Sequence, residues 1–325
     1  MKRPQPRYAV FLPLACAVIT MDAAAQGAYP SRNVQVIVPY TAGGSIDLYS
    51  RALSQRLAKA WGRNVVVDNR PGASGMIGTE IAAKADPDGH VLLGHTSSYP
   101  ATAAVRAKLS FDPAKAIVPV ATLAKAPMLL AIHPSVPAKS VKELVALAKK
   151  NPGKLNYGSS GAGGNNHFSG GLFATAAGVK MIHIPYKGIS MAVTALASGE
   201  VEIVIASAAA LMPQVKAGRL RALGVTSLEP SPLIPGLPAI AQSGVPGYSY
   251  ELWWGIFAPA GMPADRVNLV NAAVNKILAT DDMKKFLSAE GAAPWPQEPA
   301  QIADLLPREI ARYKKAAQVA GIPPQ

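Results

Sequence analysis

The chain has 325 residues, half of them apolar, with a formal charge of +13 at neutral pH and a single cysteine. That is enough apolar matter for one large domain or two ordinary ones, and one cysteine excludes an internal disulfide framework. The Lys and Arg residues are scattered and aromatics make up only 6%, which argues against a nucleic-acid surface and leaves a basic exterior that draws small anions or simply keeps the protein in solution.

The first 25 residues read as a cleaved signal peptide. Met1, Lys2, Arg3 and Arg7 give a positive start, residues 8–21 are an apolar stretch, and Ala23, Ala24 and Ala25 place cleavage near residue 25. The apolar stretch is shorter than the roughly 20 residues of a membrane span. Cys16 lies inside it, and Pro13 together with the apolar residues beyond Cys16 argue against a lipid anchor. Residues 1–25 carry a net +2 of the +13, so +11 remains on the mature part, whose expected location is the periplasm.

Beyond the leader, strand and helix patterns alternate, which predicts an α/β fold. A β-branched run at 34–39 precedes a helix over 45–61 with Ile46, Tyr49, Leu53, Leu57 and Ala60 at helical spacing. A strand at 65–67, a helix at 75–85 and a strand at 90–96 follow. Residues 127–137 read as a proline-marked crossing. Ser140 to Glu143 is a capping box opening a helix to about residue 150. Strands at 155–159, 181–186, 201–206 and 220–226 then alternate with helices at 165–177, 190–198 and 208–217. Residues 229–247 read as a Pro/Gly-rich surface connection, 253–259 as a strand, and 263–279, 281–289 and 299–319 as closing helices that pack back on the first lobe. Two βα runs joined by crossings predict two lobes with a cleft: residues 26–125 plus 260–325 in lobe 1, and 126–259 in lobe 2.

Two glycine-rich loops between a strand and a helix stand out. In the first, Tyr40, Ala42, Gly43, Gly44, Ser45 and Asp47 combine a flexible backbone, an N-capping hydroxyl and a carboxylate in the first helical turn. Such a loop is either a well-capped turn or an anion cradle of free N–H groups. In the second, Ser159, Ser160, Gly161, Gly164, Asn165 and His167 supply a denser set of donors. It lacks the Gly-Lys-Ser/Thr and G-x-G-x-x-G spacings of nucleotide loops. Thr96, Ser97, Tyr186, Lys187 and Ser207 fall near the C-terminal ends of further strands, where open α/β sheets bind ligands. There is no G-x-S-x-G or H-E-x-x-H motif, and the five histidines lack metal spacing, so neither a cofactor nor a metal is expected. Ser159 or Ser160 with His167 is the sole candidate nucleophile and base for an enzyme, with no acidic orienter in view.

Several short motifs, in order, carry a resemblance. They are 29–31 (Tyr-Pro-Ser), Val38-Pro39-Tyr40 with Gly43, Gly44 and Asp47, Asn69-Arg70-Pro71-Gly72-Ala73-Ser74-Gly75, Pro87-Asp88-Gly89, 155–161 (Leu-Asn-Tyr-Gly-Ser-Ser-Gly), Ile184-Pro185-Tyr186-Lys187-Gly188 and 257–261 (Phe-Ala-Pro-Ala-Gly). From about residue 29 to the end the chain resembles the tripartite tricarboxylate transporter substrate-binding receptors, the Bug family. The resemblance implies a two-lobed type II periplasmic-binding fold. It also implies a monomeric receptor with no enzymatic role, which takes a small organic carboxylate on backbone amides from the two glycine loops and delivers it to inner-membrane transporter subunits. Many relatives carry an acidic residue and an asparagine where this chain has Ala206 and Ser207, so the expected ligand lacks an amino group and is a hydroxy, dicarboxylic or aromatic acid. A sensory receptor for a signalling partner is the remaining alternative.

Overall fold

A computed structural model describes Met1 and residues 29–325; the leader, with Cys16 and the cleavage point, falls in residues outside that description. The elements run β1 (Val34–Val38), α1 (Ser45–Trp61), β2 (Val65–Asn69), α2 (Met76–Ala83), β3 (Val91–Thr96), α3 (Ser98–Val105), β4 (Ile117–Ile132), α4 (Val141–Lys150), β5 (Asn156–Ser159), α5 (Asn165–Ala177), β6 (Ile182–Pro185), α6 (Ile189–Ser198), β7 (Ile203–Ser207), α7 (Ala208–Lys216), β8 (Arg221–Val225), β9 (Glu251–Pro259), α8 (Ala264–Leu278), α9 (Asp281–Ala289), β10 (Ala293–Pro294), α10 (Pro299–Ile302) and α11 (Leu305–Ala320).

Two lobes share one strand. β1 lies parallel between β2 and β3, and β9 joins antiparallel to β3. The first part of β4, Ile117 to Pro127, pairs with β9; the last part, Met128 to Ile132, pairs with β7 and β8. In the second lobe β5 is parallel to both β6 and β7. The polypeptide therefore crosses between lobes within β4, at Pro127–Met128. It returns ahead of β9, whose pairing with β3 and β4 sets Glu251–Pro259 in the first sheet.

β4 is the main element that periodicity misses. Its residues are buried almost throughout, so no in–out alternation marks it, and Pro119 and Pro127 read as breakers. Both prolines face β9, and the register slips beside Pro119 and again near Thr122, where bulges absorb the irregularity. α3 is the other omission: Pro100 lies in its first turn, where a missing N–H costs nothing. The capping box forms in a variant way. Ser140 Oγ accepts from Glu143 N–H (3.2 Å), while the Glu143 carboxylate takes the Lys139 N–H (2.7 Å), one residue earlier than the usual partner.

The closing helices divide. α8 packs on β4 and α1, in the first lobe, whereas α11 lies against both α3 and α5 and so straddles the lobes. Tyr313 of α11 is 1% exposed and packs edge-on against Phe168 of α5.

Because β4 belongs to both sheets, damage to its core should be felt by both lobes at once. Leu130→Ala, at a fully buried position between β7 and β8, is expected to cost about 2–5 kcal/mol. Chemical denaturation should show one transition moved to lower denaturant. Two separated transitions would show that the lobes fold independently.

Candidate functional site

Five helix starts line a single cavity between the lobes. Its walls are Gly44, Ser45 and Ile46 at the head of α1, Thr96 and Ser98 at α3, Asn165 and Asn166 at α5, Ile189 at α6 and Ser207 at α7, completed by Tyr40, Thr41, Ser160, Met128 and Leu252. The space is narrow and partly open to solvent. The first N–H groups of a helix have no carbonyl one turn back to accept them, and the aligned peptide dipoles put about half a positive charge there. No Asp, Glu, Lys, Arg or His lines this cavity among the described residues. Any attraction for an anion therefore comes from backbone and hydroxyl donors, and no carboxylate stands ready for an ammonium.

A second space adjoins it, sharing Tyr40 and Ser160 and reaching Ser74, Gly161, Tyr186 and Lys187. Lys187 is exposed and is the one cation on its wall among the described residues. Tyr186 donates to the Glu200 carboxylate (2.7 Å).

The first glycine loop is shaped from beneath. Gly43 has φ +85°, and its N–H donates to Asp47 Oδ2 (3.0 Å). Asp47, 2% exposed, also accepts from Arg51 Nε (3.1 Å) and Asn69 Nδ2 (3.0 Å). Burial works against its charge, but these donors outweigh it and hold the carboxyl below the ordinary aspartate range. Asn69 Nδ2 also donates to the Tyr40 carbonyl (3.0 Å), so one cluster fixes both ends of the turn. Asp47 does not line the cavity; Ala42 and Gly43 are exposed at its edge, where Ser190 of the second lobe donates to the Ala42 carbonyl (3.3 Å).

The second loop meets the first lobe through Asn165. Its N–H donates to Ser98 Oγ (3.1 Å) and its Nδ2 to Ser97 Oγ (2.9 Å) and Thr96 Oγ1 (3.3 Å). Its Oδ1 accepts from the hydroxyls of Tyr250 (2.8 Å) and Tyr313 (3.2 Å). The side-chain amide is thus saturated by protein groups and ties the start of α3, α5, Tyr250 just ahead of β9, and α11 together. Ser97 sits behind the cavity wall, bonded to Asn165, and Gly164 lies under Ser160 without lining the space. Ser160 Oγ donates to Asn166 Oδ1 (2.8 Å) and Ser45 Oγ accepts from Trp254 Nε1 (3.0 Å).

Two candidates turn away from the cleft. Ser159, fully buried, bonds His183 Nε2 (2.6 Å), and His167 stacks on His183 at 3.7 Å and 5° on the far side of the loop. The cavity residues that motifs did not single out include Met128 and Leu252. Met128 is the first residue beyond the crossing in β4 and Leu252 the second residue of β9, and they become visible only once β4 and β9 are placed. Ser74, part of a family motif but not singled out as a site residue, lines the adjoining space, and its Oγ donates to the Ala162 carbonyl across the lobes (2.8 Å).

The family model described as tripartite tricarboxylate transporter family receptor matches residues 49–322. The chain belongs to this receptor family. It is similar to the protein BugT of Bordetella pertussis, 32% identical over 90% of both chains. Among solved structures it resembles Rpa4515 of R. palustris with adipate (36% identity, TM-score 0.88, covering 91% of this chain and 100% of that one). It also resembles MatC of Rhodopseudomonas palustris with bound malate (30% identity, TM-score 0.83, covering 89% and 99%). The two-lobed type II periplasmic-binding fold of the receptor family is therefore the fold of this chain. Among the described residues no helix is long and apolar enough to cross a membrane.

Three imidazoles near the receptor's cleft are held neutral by burial: His95 behind Tyr40, pushed down to about 3, His167 to about 4, and His183 to about 3, where the His167 ring adds to the effect. An unfolded imidazole takes its proton near 6.5. Their contribution to stability is complete above that pH and is lost as pH falls toward 4 and below, because the unfolded state then binds protons the folded state refuses. Urea midpoints at pH 7.5, 6 and 5 should decrease in that order; a flat profile would contradict neutral burial.

Proposed function

We propose that this receptor-family member is exported to the periplasm, closes its two lobes on a small organic carboxylate, and presents the closed form to the membrane subunits of a tripartite tricarboxylate-type transporter. The observation that carries this reading is the convergence of five helix starts from both lobes on one cavity without charged side chains. A carboxylate there would accept from first-turn N–H groups and from the hydroxyls of Thr41, Ser45 and Ser207. Relatives solved with adipate and with malate support the ligand class.

The cavity's composition narrows the ligand. Ile46, Met128, Ile189 and Leu252 give it an apolar side suited to methylenes or an aromatic ring, and Lys187 in the adjoining space is placed for a second carboxylate. An ammonium would lose its hydration and find no carboxylate in return. Hydroxy, dicarboxylic and aromatic acids fit; amino acids do not.

A role as a carboxylate-processing enzyme is less well supported. Ser159 and His183 stand at the separation of a nucleophile and its base, but Ser159 is fully buried and lines neither cleft space. Closing around a ligand needs only a difference in affinity between open and closed lobes. Bonds such as Ser190 to Ala42 and Ser74 to Ala162 span the two lobes, and closure would be where they form.

Calorimetric titration with a panel of C4–C8 dicarboxylates, hydroxy acids and aromatic acids should reveal saturable binding, with the corresponding amides and amino acids inert. Tight amino-acid binding with no response to the acids would refute the assignment. Asp47→Ala removes the acceptor that shapes the first loop and is expected to weaken binding about tenfold, near 1.4 kcal/mol. Unchanged affinity in that variant would remove the first loop from the site.

A further inference from the structure

The binding reading makes no use of the two stacked imidazoles behind the second glycine loop. We propose that His167 and His183 are positioning residues for loop 158–167: as a neutral stacked pair they hold its two turns in the form that faces the cleft, and a proton on His167 releases it.

The hydrogen bonds assign the tautomers. His167 Nδ1 accepts from the Gly163 N–H (3.0 Å), so its ring proton sits on Nε2. With the Ser159 hydroxyl proton on the Gly161 carbonyl (3.1 Å), its oxygen accepts from the Gly161 N–H (3.1 Å) and from a proton on His183 Nε2 (2.6 Å), and this is the tautomer the proposal takes for His183. One imidazole thus caps the Gly163 turn and the other anchors the Gly161 turn through Ser159. The rings lie 3.7 Å apart and 5° from parallel, with Tyr157 tilted against both at 6.3 and 5.1 Å.

The loop needs such support. Gly161 (φ +135°) and Gly163 (φ +75°) take conformations that side chains rarely adopt, and a Cβ on Gly163 would meet Val105 at 2.7 Å. Glycine gives the backbone access to the cleft and no side chain with which to lock the turn. The lock comes from behind, through Ser159, His167 and His183.

Protonation would act on the two rings differently. His183 already donates through Nε2, so a second proton leaves its bond to Ser159 intact. On His167 the added proton lands on Nδ1, opposes the Gly163 N–H, and sets a cation flat against a ring 3.7 Å away. The titratable groups that line the groove beside the pair are Tyr157 from β5, Lys180 ahead of β6 and the two histidines; residues 320–322 at the end of α11 add none. No carboxylate in that groove would compensate an imidazolium. Burial keeps both rings neutral at ordinary pH, in keeping with this arrangement.

The inference rests on loop 158–167 forming part of the carboxylate site, so its test reads the loop itself. Hydrogen exchange of a peptide covering 158–168 is followed by mass spectrometry in the full chain at pH 7.5 and 5, corrected for intrinsic rates. The variants are His167→Asn, which keeps an acceptor at the Nδ1 position but does not titrate, and His167→Phe, which keeps a stacked ring without the acceptor. In the unaltered protein, protection should drop about tenfold at pH 5, as linkage to a histidine proton requires. His167→Asn should match the unaltered protein at pH 7.5 and lose clearly less protection at pH 5, keeping only the acid effect of the remaining buried imidazoles, and His167→Phe should be loosened already at pH 7.5 with a similarly reduced further change at pH 5. The proposal is overturned if His167→Asn loosens in acid as much as the unaltered protein, or if His167→Phe is as protected as the unaltered protein at pH 7.5. Should His167→Phe fail to fold, the asparagine variant decides alone. Adipate affinity is measured on the same samples. Absent binding at both pH values with the expected exchange pattern supports the positioning role and counts against the carboxylate reading.

Discussion

A helix cannot satisfy its own first N–H groups, and this fold brings five such ends to one place. Each end alone is an ordinary feature of an α/β protein. Their convergence from both lobes makes a region of positive potential in which no basic side chain is needed, so the walls can stay neutral and close-fitting. Of the +13 formal charge, the +11 outside the leader acts at longer range, where a basic exterior can raise the local concentration of small anions. Attraction and recognition are therefore carried by different parts of the molecule: side chains outside, main chain within.

The cleft depends on polar clusters beneath and between its walls. Asp47, Arg51 and Asn69 shape one glycine loop from beneath. Asn165, with every polar valence occupied by Thr96, Ser97, Ser98, Tyr250 and Tyr313, fixes where the second loop meets the first lobe. β4 and α11 both bridge the lobes, one as a shared strand and the other as a helix laid against α3 and α5. Both the buried contacts around Asn165 and the outer bond from Ser190 to the Ala42 carbonyl cross from one lobe to the other.

Much of this was legible in the residues. The strand–glycine–helix pattern at 34–61 and 155–177 places both loops correctly, and the family motifs name the fold. The serine cap at 140, with its glutamate three residues on, marks α4 to the residue. Legibility failed where burial was complete. β4 has no polar face to betray its period, and its prolines imitate a linker, so Met128 and Leu252 could not be placed on the cavity wall. It also failed where chemistry depends on direction. Ser159 and His167 stand in a donor-rich loop beside the cleft in sequence, yet their side chains point out of its back. Sequence spacing gives proximity along the chain, whereas the side that a side chain faces is set by the pleat of β5 at Ser159 and by the path of the turn, with its positive φ at Gly161 and Gly163, ahead of His167.

The central claim is that first-turn amides from both lobes grip one acid together. The direct measurement is an amide-resolved NMR titration of the labelled protein with adipate and with malate as probes. The account predicts that the amides of Ser45 and Ile46 in one lobe and of Asn166 and Ala208 in the other shift along a single saturation curve for at least one of these acids. Shifts confined to one lobe, or saturation that leaves all four of these amides unmoved, would contradict it.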